Sequence, residues 1–452
     1  MDSKPSPSGR YPHRYEHALA LLLATLTFGL SLLYGIVTPL WEGTDEPIHF
    51  DFIKHVADYR RLPTLYDEGA VLGQTLQPPL YYVLSALTIL DLDTSNLGQV
   101  RQQNPWFFGL MLGEEHNYAI HSEAEGYPYR GAAQAVHRIR ALTALWGALT
   151  VLATYWTGRE FWPRGRAPAL TAAAIVGFTP SFILINSVIT NDSLSITLSA
   201  WTVWLTLRTV RLGVTPRRAI GVGILSGLSL LTKQSAIFLV PVVGLALLYA
   251  CRRSWRALSG HVVELVLPVL LLVGWWYVWN WRLYGDPWGA QIYFYHYGRP
   301  DFPPFSWGWL WAEVVRFHEA FWARFGWNII RADSVWYAFY AGVTTLGGLG
   351  WAIAVVRRRV TRTFWAVPWC ILSFVMNVAW LLIFSSRMGL VGVQPRYLYP
   401  TFPALAVLLA GGLTLLVPGR RAMWLRLAIC GVMGIVALAA PFAYILPAFA
   451  QR

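Results

Sequence analysis

Charge is scarce in this chain. Of its 452 residues only 13% are charged, against 56% that are hydrophobic, a balance that excludes a soluble domain of this length. Cysteine is rarer still: Cys251, Cys370 and Cys430 lie in or beside apolar stretches at no metal-like spacing, which excludes a disulfide framework and a cysteine zinc site. There are three lysines, so nearly all the positive charge is arginine. No internal repeat and no linker separating a soluble domain is visible, which leaves one membrane-embedded unit over 1–452.

What is abundant is apolar sequence. A bilayer core of about 30 Å takes about 20 apolar residues per helix. Stretches near 17–38, 140–158, 167–186, 194–210, 218–232, 235–250, 261–280, 335–356, 364–384, 398–417 and 425–446 therefore predict an all-α polytopic membrane protein with about eleven transmembrane helices. The first stretch follows Lys4, Arg10 and Arg14 as a signal peptide would, but its length and the lack of a small-residue cleavage site mark it as a retained helix.

Arginine placement orients the spans, because short loops rich in Lys and Arg stay cytoplasmic. Clusters at 159–166, 208–218, 252–256, 357–362 and 420–426 fall on every second connection, which predicts a cytoplasmic N-terminus and puts 39–138, 187–193, 281–334 and 385–397 outside. These loops account for most of the net charge of +13, so nucleic acid is not the implied partner. The outer segment 39–138 holds more than half of the acidic residues, and a loop that long is usually functional. Within it the apolar run from Pro79 to Leu90 is too short to span and reads as a re-entrant or interfacial helix. The outer segment 281–334 carries Trp311, Val314, Val315, Phe321, Trp322 and Phe325 at helical spacing, which predicts an amphipathic helix lying along the interface.

Ionisable residues beside a membrane helix are candidates for function, since lipid desolvates them at a cost. Asp45-Glu46-Pro47-Ile48-His49 follows the first span. A carboxylate there suits a general base acting on an acceptor, and the competing reading is a helix cap formed by Thr44 or Asp45. Asp45 and Glu46 point about 100° apart on a helix, so one of them can act alone. His49 stands four residues from Asp45, a spacing that fits two metal ligands but not a complete site. Asn191-Asp192-Ser193 offers a second outer carboxylate, with an N-cap as its simpler reading. Lys233 interrupts an apolar hairpin at its outer turn, against the positive-inside trend, and a lipid phosphate is the anion that fits it; snorkelling to the interface is the alternative. Arg138, Arg140 and Arg396 lie at outer helix ends and match phosphate geometry.

In this order and on this side, the motifs resemble the GT-C superfamily of membrane glycosyltransferases, particularly its protein O-mannosyltransferase and aminoarabinose-transferase branch and bacterial relatives. Asp45-Glu46 is similar to that family's acidic motif, Gln77-Pro78-Pro79-Leu80-Tyr81-Tyr82 to its juxtamembrane motif, and Arg138 or Arg140 to the arginine opening the second span. Asn191-Asp192, Leu231-Thr232-Lys233 and Gln394-Pro395-Arg396-Tyr397 resemble the second-loop acidic motif, the lysine hairpin and the late Arg-Tyr motif. The chain departs from the oligosaccharyltransferases and from the eukaryotic mannosyltransferases in showing neither a large soluble domain after the last span nor a repeat-domain insertion.

The resemblance implies a GT-C fold with juxtamembrane helices in the outer loops 39–138 and 281–334, in the cell's inner (plasma) membrane, with an extracytoplasmic active site. It implies an inverting transfer from a polyprenyl-phosphate-linked sugar, a hexose or a pentose, to a glycan, lipid or protein acceptor. Asp45 would be the base, with Glu46 beside it, while Lys233, Arg138, Arg140 and Arg396 bind the donor phosphate. Asp192 would position the acceptor or join Asp45 and His49 around a divalent ion, although no cofactor is required. A transporter or flippase of lipid-linked sugars, or a glycan ligase or polymerase, are the alternatives.

Overall fold

In the computed structural model of the protein, residues 14–67, 72–107, 117–163, 167–298, 306–358, 365–389, 394–417 and 419–450 are described. Apolar composition dictates helix throughout. Among the described residues, seven helical segments are long and apolar enough to cross a membrane: Tyr15–Val37, Gln234–Cys251, Trp255–Tyr284, Ser334–Val356, Val367–Met388, Pro395–Leu416 and Gly419–Ala450.

The other four predicted stretches are helical too, but shorter or more polar. Gly131–Phe161 carries a column of threonines, of which Thr143, Thr150, Thr154 and Thr157 return their hydroxyls to carbonyls four residues earlier and so can be buried. The stretch 167–186 breaks into Ala167–Gly177 and Pro180–Ile185, since proline at 180 cannot continue the preceding helix. Asp192–Leu212 and Pro216–Thr232 complete the set, and the count of about eleven spans is not established.

Helix Gly131–Phe161 is the axis of the fold, packing against the first helix, Ala167–Gly177 and Asp192–Leu212. Ion pairs sit toward its two ends: Arg140 meets Glu46 in a buried pair near one, and buried Glu160 meets the partly exposed Arg208 and Arg211 at the other. Twenty residues of helix separate Arg140 from Glu160, about 30 Å at 1.5 Å per residue, which matches the hydrocarbon thickness of a bilayer. Close approach also holds the later helices. Ser334–Val356 and Phe402–Leu416 touch through Gly347, Gly350 and Gly412; a Cβ on Gly350 would lie 1.8 Å from the Gly412 carbonyl oxygen.

The segments between the first helix and Asp192–Leu212 build a second, smaller core around Trp41, Phe50, Ile53, Tyr81, Tyr82, Val136 and Ile189. The predicted interfacial run becomes the short helix Leu80–Ala86, whose Tyr81 and Tyr82 are fully buried in that core. The predicted amphipathic helix is Trp307–Ala323: Trp307, Trp311 and Val314 are exposed, Phe321 and Trp322 buried. Buried Glu319 near its end is held by Arg324 and Arg331, which face each other across a two-residue antiparallel strand pair.

Candidate active site

The site begins with a backbone choice. Asp45, just before helix Glu46–Tyr59, lies in the left-handed region at φ 64°, a conformation that costs energy for a side-chain-bearing residue. Its side chain makes no capping hydrogen bond, so the cap reading of Asp45 does not hold. The turn instead sends the Asp45 and Glu46 carboxylates to different places.

Glu46 goes into the protein and is fully buried. It takes Arg140 in a fork, with Nε to Oε1 at 2.8 Å and Nη2 to Oε2 at 2.6 Å, and accepts the backbone N–H groups of Trp41 and Ile189. Arg140 spends its remaining donors on the carbonyls of Gly35, Thr38 and Pro39. Both residues are saturated by the protein, and neither lines the cavity described below. Arg138 points elsewhere, to Asp91 at 2.6 Å and the Thr88 carbonyl, and also stands off that cavity. The base role expected for Glu46 and the phosphate roles expected for Arg138 and Arg140 are therefore set aside.

Asp45 faces a cavity of about 270 Å³. Its carboxylate is paired with Arg396, which opens the turn Pro395–Thr401 ahead of helix Phe402–Leu416. Arg396 Nε also lies 3.6 Å from Asp192 Oδ2, so one guanidinium stands between two carboxylates. Lys233, at the end of helix Pro216–Thr232, donates to Asp192 Oδ1 at 2.5 Å and lies over the Tyr397 ring, as Arg396 does at 5.6 Å. Burial works to raise the Asp192 carboxyl, but the Lys233 and Arg396 charges prevail and hold it below the usual carboxylate range. Four charges thus form one cluster, with Lys233, Arg396 and Asp45 on the cavity wall.

The rest of the wall carries two kinds of residue. Some are apolar and aromatic, Trp288, Tyr293, Phe294, Trp380, Ile383 and Phe384. Others are neutral and polar, His49, Gln74, Gln77 and Asn191. His49 shares a 2.9 Å hydrogen bond with the Tyr82 hydroxyl, and burial pushes its pKa down to about 3, so the imidazole is neutral at physiological pH. Asn191 does not cap its helix as expected: its amide nitrogen reaches Gln77 Oε1 and the Tyr82 hydroxyl, both at 3.4 Å. Among the described residues no group of three His, Cys, Asp or Glu side chains is arranged to hold a metal ion. Asp45 and Asp192 are held by cations and His49 by tyrosine, which does not fit the expected ligand set.

Sequence reasoning found Asp45, His49, Asp192, Lys233 and Arg396, which come together here. It missed buried Glu42, which accepts the backbone N–H groups of Tyr118 and Ala119 and holds His121 Nε2 at 3.2 Å. It quoted Gln77 and Asn191 within motifs without giving their amides a role, and passed over Gln74 and Gln234, since an amide has no signal of its own in one sequence.

Similarity to known proteins follows the fold. Residues 134–279, about a third of the chain, match the family described as dolichyl-phosphate-mannose-protein mannosyltransferase. No curated protein matches the sequence significantly. Among solved structures, ArnT from Cupriavidus metallidurans superposes with a TM-score of 0.54 in the apo state, at 16% identity over 94% of this chain and 65% of that one. The same protein bound to undecaprenyl phosphate gives 0.54 at 17% identity, over 95% of this chain and 66% of that one. The apo oligosaccharyltransferase of Archaeoglobus fulgidus gives 0.50 at 12% identity, over 96% and 56%. The chain spans less than two thirds of the length of each of these structures, and has the GT-C fold of an integral membrane protein, resembling the mannosyltransferase and ArnT branch.

Proposed function

We propose that the protein is an inverting glycosyltransferase that moves a sugar from a polyprenyl-phosphate donor to an acceptor at the outer membrane face. One observation carries this reading: Asp45, the one carboxylate on the cavity wall among the described residues, is paired with Arg396 and shares that wall with Lys233, aromatic side chains and neutral amides. The lipid of ArnT's undecaprenyl phosphate is the kind of chain such aromatic side chains would hold, and its phosphate the kind of anion two cations would.

The acceptor's oxygen or nitrogen attacks the anomeric carbon from the face opposite the phosphate, and its proton passes to the Asp45 carboxylate. The bond from the anomeric carbon to the phosphate oxygen breaks as the new glycosidic bond forms, which inverts the configuration. Negative charge grows on the departing phosphate, and Lys233 and Arg396 stabilise it more strongly there than in the bound donor. Asp192 holds Lys233 and Arg396 in place through the ion pairs already formed. The cations cover the phosphate, so no step requires a metal. In the plasma membrane, with the N-terminus cytoplasmic, this cavity opens to the extracytoplasmic side, where a glycan, lipid or protein acceptor meets it.

The test is turnover by purified protein in lipid, following release of polyprenyl phosphate from a panel of polyprenyl-phosphate sugars. Asp45→Asn is expected to lose at least about two orders of magnitude in kcat with donor binding kept. Binding of donor without release by the unmodified protein would favour a transporter instead.

A further inference from the structure

The polar part of the cavity wall has a chemical character that narrows the donor. Asn191 is 1% exposed and lines the cavity, yet its Oδ1 has no hydrogen-bond partner. A buried carbonyl oxygen left unpaired is costly, so the site is built to receive a donor group there. Around it stand Gln77, whose Oε1 takes the Asn191 amide N–H, the neutral imidazole of His49, and Gln74. Gln234 closes the same wall, its NH₂ donating to the Trp288 carbonyl at 2.6 Å and the Leu76 carbonyl at 3.3 Å. Each of these groups is a neutral donor or acceptor.

The charged groups, in contrast, are already committed. Asp192 is bound by Lys233 and Arg396, and Asp45 by Arg396. Among the described residues the cavity wall offers an ammonium on the sugar no carboxylate except Asp45, which the reaction needs as a base, and a buried unpaired charge is far costlier than a buried hydroxyl. A carboxylate on the sugar would compete with the donor's own phosphate for Lys233 and Arg396. We infer that the donor sugar is uncharged, and that the amides of Asn191 and Gln77 with the neutral His49 imidazole read its hydroxyls. This rests on the transfer reaction proposed above and names the sugar class that reaction takes. It also separates the chain from an enzyme built for an amino sugar, whatever the shared fold.

The experiment compares three polyprenyl-phosphate donors on purified protein in lipid: a neutral hexose, an amino-pentose and a uronic acid. Release of polyprenyl phosphate and equilibrium binding of each donor are measured, with sugar-free polyprenyl phosphate as the reference ligand. The neutral donor should bind and react at least tenfold better than either charged one. Asn191→Ala should raise KM for the neutral donor about tenfold, and Gln77→Ala, at a less buried position, several-fold, while affinity for sugar-free polyprenyl phosphate stays the same. Asn191→Asp should shift the preference towards the amino sugar. A charged donor preferred in both readouts would overturn the inference and leave the transfer reaction standing. Equal losses of affinity for sugar-free lipid phosphate in both alanine variants would also overturn it. Neutral donor bound tightest but released by no variant would instead remove the transfer reaction and keep the sugar recognition.

Discussion

Asp45 and Glu46 are adjacent and carry the same functional group, yet their environments assign them opposite behaviour. Glu46 is saturated by one arginine and two backbone N–H groups, so removing its charge strands a buried guanidinium; Glu46→Gln should cost about 3–5 kcal/mol of stability, seen as a lower unfolding midpoint in detergent. Asp45→Asn removes a charge from buried Arg396 but leaves it an amide oxygen and the nearby Asp192, so it should lower the midpoint less than Glu46→Gln does while losing turnover. His121 carries a separate prediction. Burial lowers its pKa, but Glu125 and Glu42 more than offset this and raise it to about 9, above an unfolded value of about 6.5. Its charged form therefore stabilises the folded protein fully below about pH 6.5, and that contribution fades as pH rises through about 9. Thermal midpoints measured from pH 6 to pH 10 should fall over that interval, and His121→Gln should flatten the fall.

At the scale of elements, the glycine contact between Ser334–Val356 and Phe402–Leu416 bears on the site because Arg396 sits at the head of the second helix. Gly350→Ala would drive a methyl group into the Gly412 carbonyl and force the helices apart, costing about 1–3 kcal/mol and lowering turnover as Arg396 moves. Gly348→Ala, where nothing lies within 4 Å of the added carbon, should be neutral or slightly stabilising, and unfolding curves of the two variants check this. Elements also decide what was legible in the sequence. Helices were visible from apolar run length, and Asp45, Asp192, Lys233 and Arg396 stood out because ionisable groups are rare beside membrane segments. The division between Asp45 and Glu46 was not visible, since it depends on the left-handed turn at Asp45, and a helical reading put both on one mouth. Arg138 and Arg140 were indistinguishable from phosphate ligands, because their partners Asp91, Gly35 and Thr38 come from distant parts of the chain. The amides around Asn191 carry no pattern until three loops fold together.

For the whole molecule, the two ion-pair layers on helix Gly131–Phe161 and the alternation of arginine loops predict one orientation in the membrane. Tyr127, 87% exposed in the first outer loop, and Arg253, exposed in an arginine-rich connection, lie on opposite sides by that scheme. Tyr127→Cys should react with a membrane-impermeant maleimide in intact cells, whereas Arg253→Cys should react only after the membrane is opened, each compared with the unmodified protein.

For the transfer proposed above, Arg396 held between Asp45 and Asp192 has a consequence. Before a donor arrives, the cations are already matched by internal anions, so a lipid phosphate that binds displaces Asp45 from Arg396, with Asp192 keeping its hold on both cations, rather than filling an empty positive hole. The exchange weakens retention of the spent lipid phosphate, because Asp45 reclaims its partner as it leaves. It also frees Asp45 from its guanidinium at the moment a donor is seated, which couples the basicity of the site to its occupancy. If the transfer runs as proposed, a site wired this way resets itself after each turnover and resists being clogged by its own product.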